Sequence, residues 1–331
     1  MTKYPMLFLH TNLRSLTMSC ASTDFPDKLL AQFQDDPALV KSTALEHLHL
    51  EECDICSPSL GVLLSFPRAL KSLKISEGVR YDGLFSARNS RTHGNVSPGP
   101  FVAAIAQHCR DSLEVLSLSL GYFRQGFQHI NHSGQHLNLT PFVKVKHLEL
   151  EIRTVNLVRV RPVCDHATWR RLPPNIETLR VFGIPLGARP PFQALARAYF
   201  PFDVCLATEK RKHGVRYLHT LTYSYEHYKQ DDTTAELSLL DSDGMDDEHF
   251  SQVTLAKNRI KSACDIHRPS YRKAGCRLEI EMVVLPNGFI PPYLYPEQTP
   301  TRFTLWESEG SEEFHERMQK LRGAAFDTAE F

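Results

Sequence analysis

The chain has 331 residues, enough for two domains or one elongated domain. Its 38 basic and 38 acidic side chains cancel, which excludes a generally basic nucleic-acid binder whose affinity rests on neutralising phosphates. With 42% hydrophobic and 23% charged residues, the composition is that of an ordinary soluble protein and excludes a disordered or membrane-embedded chain.

In chain order, the first segment, MTKYPMLFLH, holds a broken apolar run with neither a secretory core nor a small-residue cleavage site. No stretch approaches the ~18 uninterrupted apolar residues of a membrane span. A cytoplasmic or nuclear location is expected, with the eight cysteines as free thiols and the sequons at Asn95, Asn131 and Asn138 without meaning. Leu13, Leu16 and Met18 then open a phrase that recurs along the chain. Pro26 precedes a helical stripe of Leu29, Leu30 and Phe33. Leu45, Leu48, Leu50, Cys53 and Ile55 fit every fixed position of the leucine-rich repeat template LxxLxLxxN/CxL. Ser57 and Pro58 supply an N-cap and first-turn proline for a helix carrying Leu60, Leu63 and Leu64, stopped at Pro67.

The phrase returns at Leu70, Leu73 and Ile75, and again at Leu113, Leu116 and Leu118, with a helical stripe of Phe101, Ile105 and Cys109 between them. Val145, Leu148 and Leu150 follow, then Ile176, Leu179 and Val181, then a moderate match at Leu218, Leu221 and Tyr223. A weak match lies at Leu278 and Ile280. Successive phrases are 32, 25, 43, 32, 31, 42 and 57 residues apart, longer and less even than the ~20–29 of regular repeats. Inserted loops are therefore expected near 79–100, 121–140 and 230–250, the last carrying eight acidic side chains. Beyond residue 285 a Pro-rich extended segment leads to a helix from about Ser311. Phe314, Met318 and Leu321 share one of its faces, Glu312 and Glu313 lie at its start, and Lys320 and Arg322 lie near its end.

Alternate residues of a strand point to opposite faces, so each phrase offers one apolar ridge that only a stacked neighbour can bury. The expected fold is α/β: an irregular leucine-rich repeat solenoid, a horseshoe with a parallel sheet on the concave face and helices on the convex face. It covers residues 1–285, and residues 286–331 form the extended segment and a capping helix.

The phrases LEHLHLEEC, LKSLKIS, SLEVLSLSL and LPPNIETLRV resemble the irregular repeat region of fungal F-box-type proteins. In that family the repeats recruit substrates to a cullin-based ubiquitin ligase, and the likeness covers about residues 10–285. It implies a substrate-recognition module with ubiquitin-ligase components as partners. The twelve residues before Leu13 are too few for an F-box of some forty residues, so that docking module is expected to be missing from this chain.

Candidate chemistry is sparse. Cys53 and Cys56 form a CxxC without a second ligand pair, and Cys53 occupies the template position that satisfies backbone groups. His129, His132 and His136 lie in a Gly/Asn-rich insertion that suits a loop better than a preorganised metal site. The acidic run from Asp241 to Glu248 fails the calcium-loop pattern, and His315-Glu316 lacks the second histidine of HExxH. Lys210, Arg211 and Lys212 are too few to bind nucleic acid. No catalytic residue, metal or cofactor is expected, and the chain is read as non-enzymatic.

Function would then reside on the concave wall, in a protein partner's contact with the outward residues of successive strands. These are His47, His49 and Glu51, then Lys74, then His147, Glu149 and Glu151, then Thr178, Arg180 and Phe182. Arg180 and Phe182 are the leading candidates because arginine and aromatic side chains dominate binding hot spots. The alternatives are a free-standing repeat scaffold with no ubiquitin role and, remotely, an enzyme using histidines of the inserted loops.

Overall fold

The computed structural model describes residues 5–19, 27–53, 57–77, 98–119, 137–151, 170–185, 215–228, 261, 264–265, 268–285 and 301–327. The loops expected at 79–97 and 121–136, the acidic insertion at 230–250, the Pro-rich run at 286–300, Lys210 to Lys212 and the histidines 129, 132 and 136 lie outside these residues. The chain divides into two compact units. The first is Met1–Val181 with Arg211–Tyr217, and the second is Phe182–Lys210 with Leu218–Phe331.

The fold is α/β with a mostly parallel, open sheet whose strands are ordered as in the chain. The first unit holds helix α1 (Pro5–Phe8), β1 (Ser15–Ser19), α2 (Asp27–Asp35), β2 (His47–Cys53), α3 (Ser57–Ser65), β3 (Ser72–Glu77), α4 (Pro98–Cys109), β4 (Val115–Ser119) and β5 (His147–Glu151). It ends inside β6 (Thr178–Pro185). The three crossovers from β1 to β4 each carry one helix, as parallel neighbours require.

Register follows the phrase without slippage. Leu16, Leu48, Leu73, Leu116 and Leu148 stand opposite one another, and so do Met18, Leu50, Ile75, Leu118 and Leu150. From β2 onward these ridges are fully buried. Leu60, Leu63 and Leu64 of α3 and Phe101 and Ile105 of α4 are buried as well, and the two helices pack together. Phe33 of α2 meets the Phe66 ring edge-on at 5.5 Å. The carbonyl of the residue just before each strand accepts two successive N–H groups of the next strand at 2.7–3.1 Å. This joint recurs five times, at Arg14, Glu46, Lys71, Glu114 and Lys146.

The five joint residues, with Glu177 before β6 as a sixth, alternate in charge: Arg14, Glu46, Lys71, Glu114, Lys146, Glu177. Lys71 pairs with Glu46 at 3.1 Å and Lys146 with Glu177 at 3.0 Å. The Lys71 ammonium holds the Glu46 carboxyl below its ordinary range, and Glu177 holds Lys146 above its own. Such exposed pairs add little stability. Their alternation instead penalises a strand stacked one repeat out of place, which would put like charges side by side.

Cys53 is buried at the end of β2, where the ladder shifts register. Its thiol faces the Met18 and Glu51 carbonyls at 3.4 Å each. The thiol thus satisfies backbone groups at the end of the strand, and the four cysteines among the described residues are buried. Two boundaries differ from expectation. Helix α4 begins at Pro98, inside the loop expected to reach residue 100, because first-turn prolines sacrifice no helical N–H bond. The insertion expected to reach residue 140 is packed from residue 137: Leu137 and Leu139 are buried, and Asn138 accepts the Thr140 N–H at 3.1 Å in a tight turn.

The second unit holds β7 (Thr220–Tyr228), α5 (Arg268–Ala274), β8 (Arg277–Leu285), β9 (Thr301–Glu307) and α6 (Ser311–Asp327). β7 and β8 are parallel, and β9 returns antiparallel to β8. No helix among the described residues is long and apolar enough to cross a membrane. Helix α6 runs on to Asp327 through Ala324 and Ala325, so Lys320 and Arg322 stand before its last turn and do not serve the dipole as expected. Two guanidinium groups lie over its Phe314 ring, Arg277 at 5.2 Å and Arg317 at 5.3 Å. Arg317 grips Glu309 with two bonds of 2.9 and 2.7 Å and donates to the Gly275 carbonyl at 3.1 Å. Arg277 pairs with Glu307.

Two stability predictions follow from this packing. Leu116→Ala empties a fully buried ridge position and should cost about 2–5 kcal/mol in urea unfolding, whereas Leu16→Ala at the half-buried edge should cost about 1 kcal/mol or less. Glu309 is only 5% exposed, so Arg317→Met strands its charge and should cost about 3 kcal/mol, most of it recovered in the Arg317→Met/Glu309→Leu double variant.

Candidate functional site

The face of the first unit's sheet opposite the leucine ridges carries the polar residues. Parallel zero-shift pairing sets them in rows across the strands. One row reads Ser15, His47, Ser72, Val115, His147; the next reads Thr17, His49, Lys74, Ser117, Glu149. Nine of the ten residues expected to bind a partner lie on β2, β3, β5 and the first-unit part of β6, with Arg180 beside Glu149. Phe182 is half-buried and falls in the second unit.

The central row is an ion-pair chain. Glu149 is shared by Lys74 at 3.7 Å and Arg180 at 3.9 Å. Lys74 on β3 reaches Glu149 on β5 across two inter-strand steps, roughly 9.6 Å of sheet. Only a small residue on the intervening strand allows this, and β4 has Ser117 there. The flanking row is quieter. Ser19 donates to Glu51 at 3.2 Å, and Ser119 donates to the buried Glu151 at 3.4 Å. His147 is exposed, with its Nδ1 2.9 Å from the Thr178 hydroxyl. His47 is exposed as well.

His49 is half-buried in the midst of this chain, and burial holds its imidazole below the ordinary value of 6.5. Glu51 and Glu149 oppose that shift, and Lys74 reinforces it. The face therefore combines the exposed imidazoles of His47 and His147 and the Lys74 ammonium with carboxylates held by serines or by Arg180. It can meet a surface of mixed charge through charge-assisted hydrogen bonds.

Among the described residues no three histidine, cysteine or acidic side chains are grouped to hold a metal ion. Cys109 is buried on α4 with its thiol pushed up to about 12, which makes it inert as a nucleophile. Cys56 and the three histidines of the insertion lie outside the described residues. The alternating rim from Arg14 to Glu177 escaped the sequence reading, although aligning the phrases on their leucines places all six charges in one column. The chain matches no protein-family model, and no curated protein is similar to it.

The lowered His49 value gives a pH dependence with a definite sign. The unfolded chain takes up a proton near pH 6.5 that the folded chain accepts only at lower pH, so stability falls as pH drops below about 6.5. His108 on α4, also held low by burial and by Lys41, adds to the same fall. Thermal melts from pH 7 to 5 should therefore show a shallower loss for His49→Gln than for the natural chain; an equal slope contradicts the assignment.

Proposed function

We propose that this chain is a leucine-rich repeat solenoid that binds another protein through the polar face of its parallel sheet, without catalysis and without a cofactor. The observation that carries the reading is the division of labour within each strand. Buried positions are leucine or a close substitute in every repeat, whereas outward positions differ from strand to strand and assemble into the Lys74–Glu149–Arg180 chain. Uniform ridges serve stacking, and a varied continuous face is what recognition of one partner requires. The partner's patch carries both charges, with acidic groups for His47, Lys74 and His147.

The likeness of the repeat phrases to F-box-type proteins extends this reading to substrate recognition for a cullin-based ligase, in the cytoplasm or nucleus. The buried Cys53, Cys109, Cys264 and Cys276, none in a disulfide, accord with such a reducing compartment.

Affinity capture of the tagged chain from its native cell extract tests both levels. Lys74→Ala/His147→Ala should lower the principal captured protein about tenfold, while the melting temperature stays within about 2 °C. Capture unchanged by this variant removes the binding site from the polar face. A cullin adaptor among the captured proteins supports substrate recognition; another protein with no ligase component leaves the free-standing scaffold reading.

A further inference from the structure

β1 is the outer strand of the first unit, and among the described residues it has β2 as its one neighbour. Its ridge and its rim charge have the character of an interior repeat. Leu13 and Leu16 are half-buried, whereas their equivalents are 2% and 1% exposed in the next repeat and 1% and 0% in the one after. The rim charge is unbalanced in the same way. Lys71 stands between Glu46 and Glu114, and Lys146 between Glu114 and Glu177, but exposed Arg14 has an acidic rung on one side only, at Glu46. The strand itself, Ser15–Ser19, contains no proline, no charge and no bulge, three of the devices that blunt an edge.

We propose that the β1 edge docks an extended segment of another protein, which pairs parallel to β1 and carries the pattern apolar–acidic–x–apolar–x–apolar. The acidic residue takes the vacant rung beside Arg14, and the apolar residues complete the ridge over Leu13 and Leu16. Backbone pairing supplies affinity and the rung charge supplies register, as in strand addition to an open sheet. A second copy of this chain fits the edge less well. Its own β1, related by a two-fold axis, would run antiparallel and bring no acid to Arg14, since Ser15–Ser19 contains none. The site is separate from the polar face and stands whether or not that face binds a partner.

The probe is a fluorescein-labelled peptide with the sequence of residues 44–52, Ala-Leu-Glu-His-Leu-His-Leu-Glu-Glu, which has the required pattern. Titrated with the full chain and followed by anisotropy, it should bind saturably and slow amide exchange in β1. Arg14→Glu should weaken binding about tenfold, as should a peptide with lysine in place of its first glutamate, and the two reversals combined should restore it. Arg14 is exposed, so the variant retains the fold, which its melting curve checks. Absence of binding, binding indifferent to both reversals, or protection confined to other strands overturns the proposal. Protection of β1 that rises with protein concentration alone assigns the edge to a second copy and overturns it too.

Discussion

A strand with leucine on one face and polar groups on the other has nowhere to put its ridge until an identical strand lies beside it. The first unit depends on this single constraint. Leu48 needs Leu73, Leu73 needs Leu116, and Leu116 needs Leu148, each directly opposite the next. Burial at ~25 cal/mol per Å² of apolar surface rewards the whole stack and no strand in isolation. The helical crossovers follow from it, because parallel neighbours can be joined only by a return across the sheet. So does the polar face: with every other residue committed to the ridge, the remaining half of each strand is released for other uses.

Electrostatics refine what the leucines begin. Hydrophobic ridges are alike in every repeat, so they do not distinguish one neighbour from another. The alternating rim does, since moving any strand by one place sets lysine against lysine or glutamate against glutamate. On the polar face Ser117 is small enough to let Lys74 reach Glu149, which Arg180 also holds. The ion pairs there fix the outward side chains more than they hold the fold, because they are partly exposed and their net worth is small. In the second unit the roles differ. Arg277 and Arg317 lie over the Phe314 ring, and buried Glu309 makes that contact sensitive to any loss of its partner.

Much of this was legible in the sequence because it rests on period and residue type. The Leu-x-x-Leu-x-Leu phrase locates β1 to β6, and Cys53, given by the phrase a role in satisfying backbone groups, is buried at the end of β2 with its thiol on two carbonyls. The stripes of Phe33, of Leu60 and Leu63, and of Phe101 and Ile105 locate the crossover helices. The rim was equally readable and passed unread, since its six charges become a pattern only once the phrases are superimposed. Other features depend on contacts between distant segments and leave no local trace. The Lys74–Glu149 pair spans three strands, so neither partner nor spacing is visible along the chain. β9 carries no repeat phrase and owes its antiparallel place to pairing with β8. The start of α6 at Ser311 was legible, whereas Lys320 and Arg322, which look like a C-terminal signal, stand before its last turn because the alanines beyond them continue the helix.

The most direct test of in-register stacking is residue-resolved amide exchange of the intact chain under native conditions. If the leucine rows make β2 to β5 one cooperative block, their ridge amides open together with a single free energy equal to that of global unfolding, and β1 opens below it. Separate opening free energies for β3 and β4, the two strands joined through Leu73 and Leu116, would contradict the account.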